Sequence, residues 1–187
     1  SVETMPNTPG SFWSEYLIGQ QTSTDCLVLN GDVVWFAHTL ASEEKNKQRP
    51  IYWHIGVELP ALQPVIKHFI KQHLNGYTGI CNLEMIDDKI IEVHLRGSNA
   101  FYDFYGDSFI QQWVTLVDQQ TWHNLAPVQE GFVYSIFGDH PLADQAKSIA
   151  ASFGVDLQAD HIVKDRVAIC YAEKLALIKQ SLDHIFK

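Results

Sequence analysis

Cysteine and positive charge are both scarce in this chain. Its three cysteines, Cys26, Cys81 and Cys170, are far apart and include no Cys-x-x-Cys pair. That spacing excludes a disulfide framework and a cysteine zinc site, and it fits a reducing compartment, so a cytoplasmic location is expected. Thirteen Lys and Arg against 22 Asp and Glu leave a formal charge of -9. Such a balance argues against a sequence-independent grip on nucleic-acid phosphates, and no nucleic-acid partner is expected. No apolar run reaches membrane-spanning length, and the start, Ser1-Val2-Glu3-Thr4-Met5-Pro6, has neither the basic nor the apolar region of a signal peptide, so no membrane partner is expected either. Repeats and low-complexity tracts are absent. What is there is ordinary globular material: 187 residues, 46% hydrophobic, enough for one core or one domain with a small appendix.

Apolar patterning predicts an α+β chain with a mainly antiparallel sheet and packed helices. Strands are expected at Phe12 to Ile18, Thr22 to Leu29 and Asp32 to Leu40, the last two joined by Asn30-Gly31, a strong hairpin signal. Ser42 to Pro50, with Lys45, Lys47 and Arg49, has the composition of an exposed loop, a solvated stretch or a basic loop beside a phosphate site. Leu62, Val65, Ile66, Phe69, Ile70 and Leu74 recur at helical spacing, which puts His68 and His73 on the polar side of a helix from Ala61 to Leu74. The aromatic run from Phe101 to Tyr105 reads as packing, and a helix follows from Ser108 to Gln120. Farther on, strands are expected at Gly131 to Phe137, Val155 to Val163 and Val167 to Tyr171, with helices at Pro141 to Phe153 and Glu173 to Phe186. Asp139-His140 reads as a helix N-cap. The expected organisation is a leader or remnant at 1–11, a main lobe at 12–127 and a small α+β unit at 128–187.

Chemistry concentrates in one hairpin, Cys81 to Ile86 and Ile90 to Arg96. A three-residue link from Asp87 to Lys89 would pair Met85 with Ile91, Leu83 with Val93 and Cys81 with Leu95, making one apolar face. A two-residue link at Asp87-Asp88 would mix polar and apolar side chains on both faces. In the first register Asn82, Glu84, Glu92 and His94 share the other face. Opposed carboxylates repel, so the pair asks for a cation, and an oxygen-rich cluster near Arg96 suits magnesium or manganese better than zinc. Strand carboxylates are also commonly just a solvated sheet face.

The same residues carry a resemblance. From Glu15 to Gly106 the order of elements, with a carboxylate-bearing strand followed by Glu92-Val93-His94-Leu95-Arg96, resembles the C-terminal half of the ATP-grasp superfamily. That resemblance implies ATP-driven conversion of a carboxylate to an acyl phosphate, followed by attack of an amine or other nucleophile. Glu15-Tyr16-Leu17-Ile18-Gly19 looks like the family's hinge, with Leu17 against adenine. Gln21 stands near the position of the usual acidic ribose contact. By the same resemblance Glu84 and Glu92 are metal ligands, His94 takes the place of a metal-binding Asn, and Arg96 approaches the γ-phosphate. The implied cofactors are ATP and Mg2+ or Mn2+, and the implied partners a nucleotide and a small carboxylate substrate. The family's preceding lobe, with its Gly-rich loop and phosphate-binding lysine, has no counterpart in the first eleven residues. The resemblance therefore implies either the C-terminal part of a longer ligase, not competent alone, or a degenerate binding or assembly module.

Overall fold

The computed structural model describes residues 9–10, 14–139, 141–160 and 162–187. Among the described residues ten strands form in chain order: β1 Gln21–Leu29, β2 Asp32–Ala41, β3 Lys45–Asn46, β4 Arg49–Pro50, β5 Tyr52–Ile55, β6 Gly79–Ile86, β7 Lys89–His94, β8 Gly131–Phe137, β9 Asp156–Ala159 and β10 Arg166–Ala172. Four α-helices accompany them among the same residues: α1 Gln63–His73, α2 Phe109–Gln119, α3 Ala146–Ser152 and α4 Leu175–Ile185. Eight strands make one sheet in the order β7-β6-β1-β2-β5-β8-β10-β9, and every pairing is antiparallel. The α+β, mainly antiparallel class expected from the sequence is the class observed. No described helix is long and apolar enough to cross a membrane.

β5 went unassigned in the sequence and decides the architecture. It pairs with β2 through Thr39 and Ile55 and with β8 through Trp53 and Val133, so the strands of the terminal segment continue the same sheet. That segment also packs its own apolar cluster, around Cys170 and Ile178.

The two faces of the first half differ in what they carry. On one face Cys26, Val28, Leu83 and Met85 are fully buried beneath Ile66 and Ile70 of α1, while His68 and His73 are exposed as expected. On the other, directly paired residues share a side, and the chemistry changes along the strands. Leu27 and Ile80 lie in an apolar core with Phe109 and Leu116 of α2. Asp25 and Asn82 come next, both buried and polar, and then Ser23 and Glu84 toward the open end. The aromatic run from Phe101 to Tyr105 joins that core, as the sequence suggests.

The hairpin differs from its expected form in an instructive way. Ile86 pairs with Lys89, so the link is two residues, Asp87 and Asp88, and Asp87 takes φ +51. A bulge then corrects the register: Met85 faces Ile90, Glu84 faces Glu92, and Ile91 is the extra residue. Ile91 is 45% exposed, and Ile90 packs beneath α1 in its stead. Tight hairpin turns match strand twist, and a bulge shifts side-chain phase by one residue. The two together give the same pairing of Leu83 with Val93 and Glu84 with Glu92 that a three-residue link would give. Leu95 lies past the end of β7 and is 60% exposed, so it does not pair with Cys81.

Other departures are local. Ser14 to Ile18 is irregular and not a strand, and Tyr16 and Ile18 are each 85% exposed. The remainder of that expected strand lies outside the described residues. Ser42 to Pro50 folds into the short β3–β4 hairpin. α3 starts at Ala146 with Gln145 at its cap, so Asp139 caps no helix; His140 lies outside the described residues.

Candidate metal and phosphate site

Glu84, Glu92 and His94 converge on the open end of the second face, each offering a ligand atom within 4.8 Å of the others. The register creates this cluster: Glu84 directly faces Glu92, and His94 faces Asn82 two pairs along, on the same face. His94 Nε2 lies 3.2 Å from Glu92 Oε1. Burial pushes the Glu84 carboxyl above the usual carboxylate range, and the Glu92 charge adds to the shift, against the opposing effects of Gln21, His94 and Arg96. Two carboxylates with a partly desolvated member are a donor set short of positive charge, and a divalent cation fits it.

Gln21 belongs to the same cluster. Its Nε2 donates to Glu84 Oε2 at 3.2 Å, and its Oε1 accepts from Lys45 Nζ at 2.8 Å. Lys45, on the β3–β4 hairpin, was not singled out in the sequence as a site residue. Burial pulls its ammonium below the usual lysine range, and the Glu84 charge works against that pull. The β3–β4 hairpin is fixed at its base by Ser42 Oγ, which accepts from the backbone N–H of Ile51 at 2.9 Å and of Tyr52 at 3.2 Å. The composition of this loop signalled a basic element, but not which lysine reaches Gln21.

Arg96 follows two residues after His94. It is exposed, and its Nη1 donates to the Gly97 carbonyl at 3.2 Å. Gly97 leaves no room for a side chain, since a Cβ would collide with Ile80 and the Tyr102 hydroxyl. The loop beyond is anchored by Asp25, which is 1% exposed. Asp25 accepts from Ser98 N at 2.8 Å, Ser98 Oγ at 3.1 Å, Tyr105 OH at 2.9 Å and Asn82 Nδ2 at 2.7 Å. Burial raises its pKa, and those four donors pull the other way. An Asp directly before the apolar run Cys26-Leu27-Val28-Leu29, within an expected strand, was the available signal for this buried anchor.

The hinge-like segment stays beside the hairpin turn. Lys89 Nζ donates to Glu15 Oε2 at 2.8 Å, Asp87 N donates to Gln20 O at 2.9 Å, and Gln20 N donates back to Asp87 Oδ1 at 2.8 Å. Leu17 is half-buried on this segment. The structure thus gathers Glu84, Glu92, His94 and Gln21 into one cluster with Arg96 at its margin, while Glu15 and Leu17 stand apart at the turn.

No protein-family model matches the sequence, and no curated protein does. Solved structures match the fold. The phosphoribosylaminoimidazole carboxylase ATPase subunit of Aquifex aeolicus superposes with a TM-score of 0.61 at 13% identity, over 90% of this chain and 55% of that one. The L-amino acid ligase of Bacillus licheniformis gives 0.64 at 12% identity, over 91% and 53%. The N5-carboxyaminoimidazole synthase of Aspergillus clavatus, solved with ADP and 5-aminoimidazole ribonucleotide, gives 0.62 at 12%, over 90% and 52%. This chain spans about half the length of these structures. Its eight-stranded sheet and packed helices have the fold of the C-terminal half of ATP-grasp enzymes.

Proposed function

We propose that this chain is the metal- and phosphate-handling half of an ATP-dependent carboxylate ligase, forming an acyl phosphate that an amine or other nucleophile then attacks. The observation that carries the proposal is the opposed Glu84–Glu92 pair with His94, within 4.8 Å, on a sheet of ATP-grasp type. Glu84, Glu92 and His94 would hold a divalent cation, magnesium or manganese, which when bound neutralises nucleotide phosphate charge. Arg96 would receive phosphate oxygens on its planar fork, which presents several donors to a trigonal or tetrahedral oxyanion. Gln21 orients the Glu84 carboxylate, and Lys45 supplies positive charge behind it. Leu17 would meet adenine from the segment that Glu15 and Asp87 tie to the hairpin.

A second reading, a binding or assembly module without catalysis, is favoured by one contact. The Lys45–Gln21–Glu84 chain already gives Glu84 a partner in the absence of any metal. Manganese titration followed by electron paramagnetic resonance separates the two. The ligase reading expects saturable binding that Glu84→Gln and Glu92→Gln each weaken at least tenfold. Absence of a protein-bound Mn2+ signal leaves the module. Magnesium-ATP should bind this chain weakly, since about half the length of its structural neighbours is not represented in it.

A further inference from the structure

Arg96 has a second neighbourhood besides the carboxylate cluster. On its far side a cleft of about 720 Å3 runs across the same sheet face, a volume in the range of small-molecule sites. Strand pairing puts its floor on the face that carries Glu84: Glu84 pairs with Ser23, Ser23 with Thr39 and Thr39 with Ile55, and Trp53 is the next residue of β5 on that side. Tyr171 continues the floor through Val133. The lining includes Arg96 and Ser98, which follow β7, and Asp160 and Arg166 of the β9–β10 segment, and β7 and β9 are opposite edges of the sheet.

Arg166 is the informative residue. Its side chain is 18% exposed, and that of Asp160 is 11% exposed. Arg166 Nη2 donates to Asp160 Oδ2, while Asp160 Oδ1 is occupied by the backbone N–H of Ile162 at 2.7 Å. Among the described residues Arg166 Nε is buried without an acceptor. A guanidinium has five donors, and a desolvated one with a single carboxylate oxygen on it is under-satisfied. Asp160 is held by its own turn, so it orients the guanidinium while leaving most of its donors for another oxyanion.

We infer that the Arg96–Arg166 cleft binds the second substrate, a small molecule with a flat body and a carboxylate or phosphate oxyanion. Arg166 takes the anion, Trp53 and Tyr171 border the flat body, and the reacting end points toward Arg96. The inference rests on the phosphate-facing role proposed for Arg96, and its test is read apart from that role. Benzoate and phenyl phosphate serve as probes, with benzyl alcohol as the uncharged control, titrated calorimetrically into the 187-residue chain. At least one anion should bind while benzyl alcohol does not, and whichever anion binds more tightly distinguishes carboxylate from phosphate. Arg166→Gln should weaken that binding at least tenfold. Asp160→Asn removes the competing carboxylate and keeps the turn acceptor, so it should tighten binding several-fold; it decides the matter if Arg166→Gln does not fold. Mn2+ affinity, measured in parallel, should be the same in both variants. Anion binding unaffected by either substitution, or benzyl alcohol binding equal to benzoate, overturns the assignment. Anion binding that depends on Arg166 in a chain that fails to hold Mn2+ upholds the cleft and rejects the metal reading alone.

Discussion

Replacing Glu84 with Gln should make the metal-free protein more stable and should weaken the proposed metal site. Gln keeps the shape and can still accept the Gln21 amide, which lies 3.2 Å from Glu84 Oε2. What goes is a negative charge whose ligand atom sits within 4.8 Å of one on Glu92. At an effective dielectric of about 20, two unit charges at that separation repel by about 3 kcal/mol. His94, Arg96 and Lys45 offset part of this, so a net gain of about 1 kcal/mol at pH 7 is expected in urea unfolding. The pH dependence checks the cause. Glu84 has a raised carboxyl pKa in the folded state, so the wild-type penalty is full above that raised value and gone below the unfolded value near 4.5. The stability advantage of Glu84→Gln should fade across the same window as the pH falls. Mn2+ affinity should drop at least tenfold, about 1.4 kcal/mol. A variant that is less stable at pH 7, or that binds Mn2+ as well as wild type, refutes the account of Glu84 as a carboxylate kept at a cost to the fold.

Three further outcomes test separate parts of the structure. His94→Asn replaces imidazole with an amide oxygen and should shift preference from Mn2+ toward Mg2+, read as a change in the ratio of the two dissociation constants with the melting temperature held. Asp25→Ala strips the acceptor from Ser98, Tyr105 and Asn82 in a site 1% exposed, so a loss of about 3 kcal/mol is expected in urea unfolding; a loss near zero would show that the anchor contributes nothing. His38 is 4% exposed, and burial lowers its pKa from 6.5 to about 4. Its unfolded form binds protons more readily, so stability should fall as pH drops from about 6.5 to about 4, by up to about 3 kcal/mol. That slope should be absent in His38→Gln, and an unchanged slope would assign the effect to another group.

The hairpin shows how a correct pairing can follow from an incorrect turn. Alternation of Leu83, Met85 and Val93 with Glu84, Glu92 and His94 dictates which residues share a face, because a slip of one would bury carboxylates beneath α1. The same alternation is blind to how the chain absorbs a one-residue surplus. A longer link and a short link with a bulge at Ile91 are equivalent at every pair beyond it, and only the exposure of Ile91 tells them apart. β5 was illegible for a related reason. Tyr52, Trp53 and His54 are all half-buried, so the strand has no clean polar and apolar alternation to read, and its placement comes from its partners Thr39 and Val133. The segment from Ser14 to Ile18 shows the converse: apolar composition suggested a strand, but composition supplies no neighbour to hydrogen-bond it.

Long-range polar contacts account for the rest. Lys45 reaches Gln21 across 24 residues of sequence, and Asp25 reaches Ser98 and Tyr105 across 73 and 80. No local spacing encodes such pairs. They are fixed by strand order, which sets Gln21 and Ser23 of β1 beside Ile86 and Glu84 of β6 and brings Asp25 opposite Asn82. Once that order is known, their chemistry follows from cost. A buried carboxylate persists only where donors surround it, and Asp25 has four. Glu84 has one amide and a facing carboxylate, on the same face, two residues farther along β6 than Asn82. Two acids on one sheet face thus separate by how fully their surroundings satisfy them. The fully satisfied one holds the loop after Arg96, and the one with a single donor is where the proposed function puts a cation.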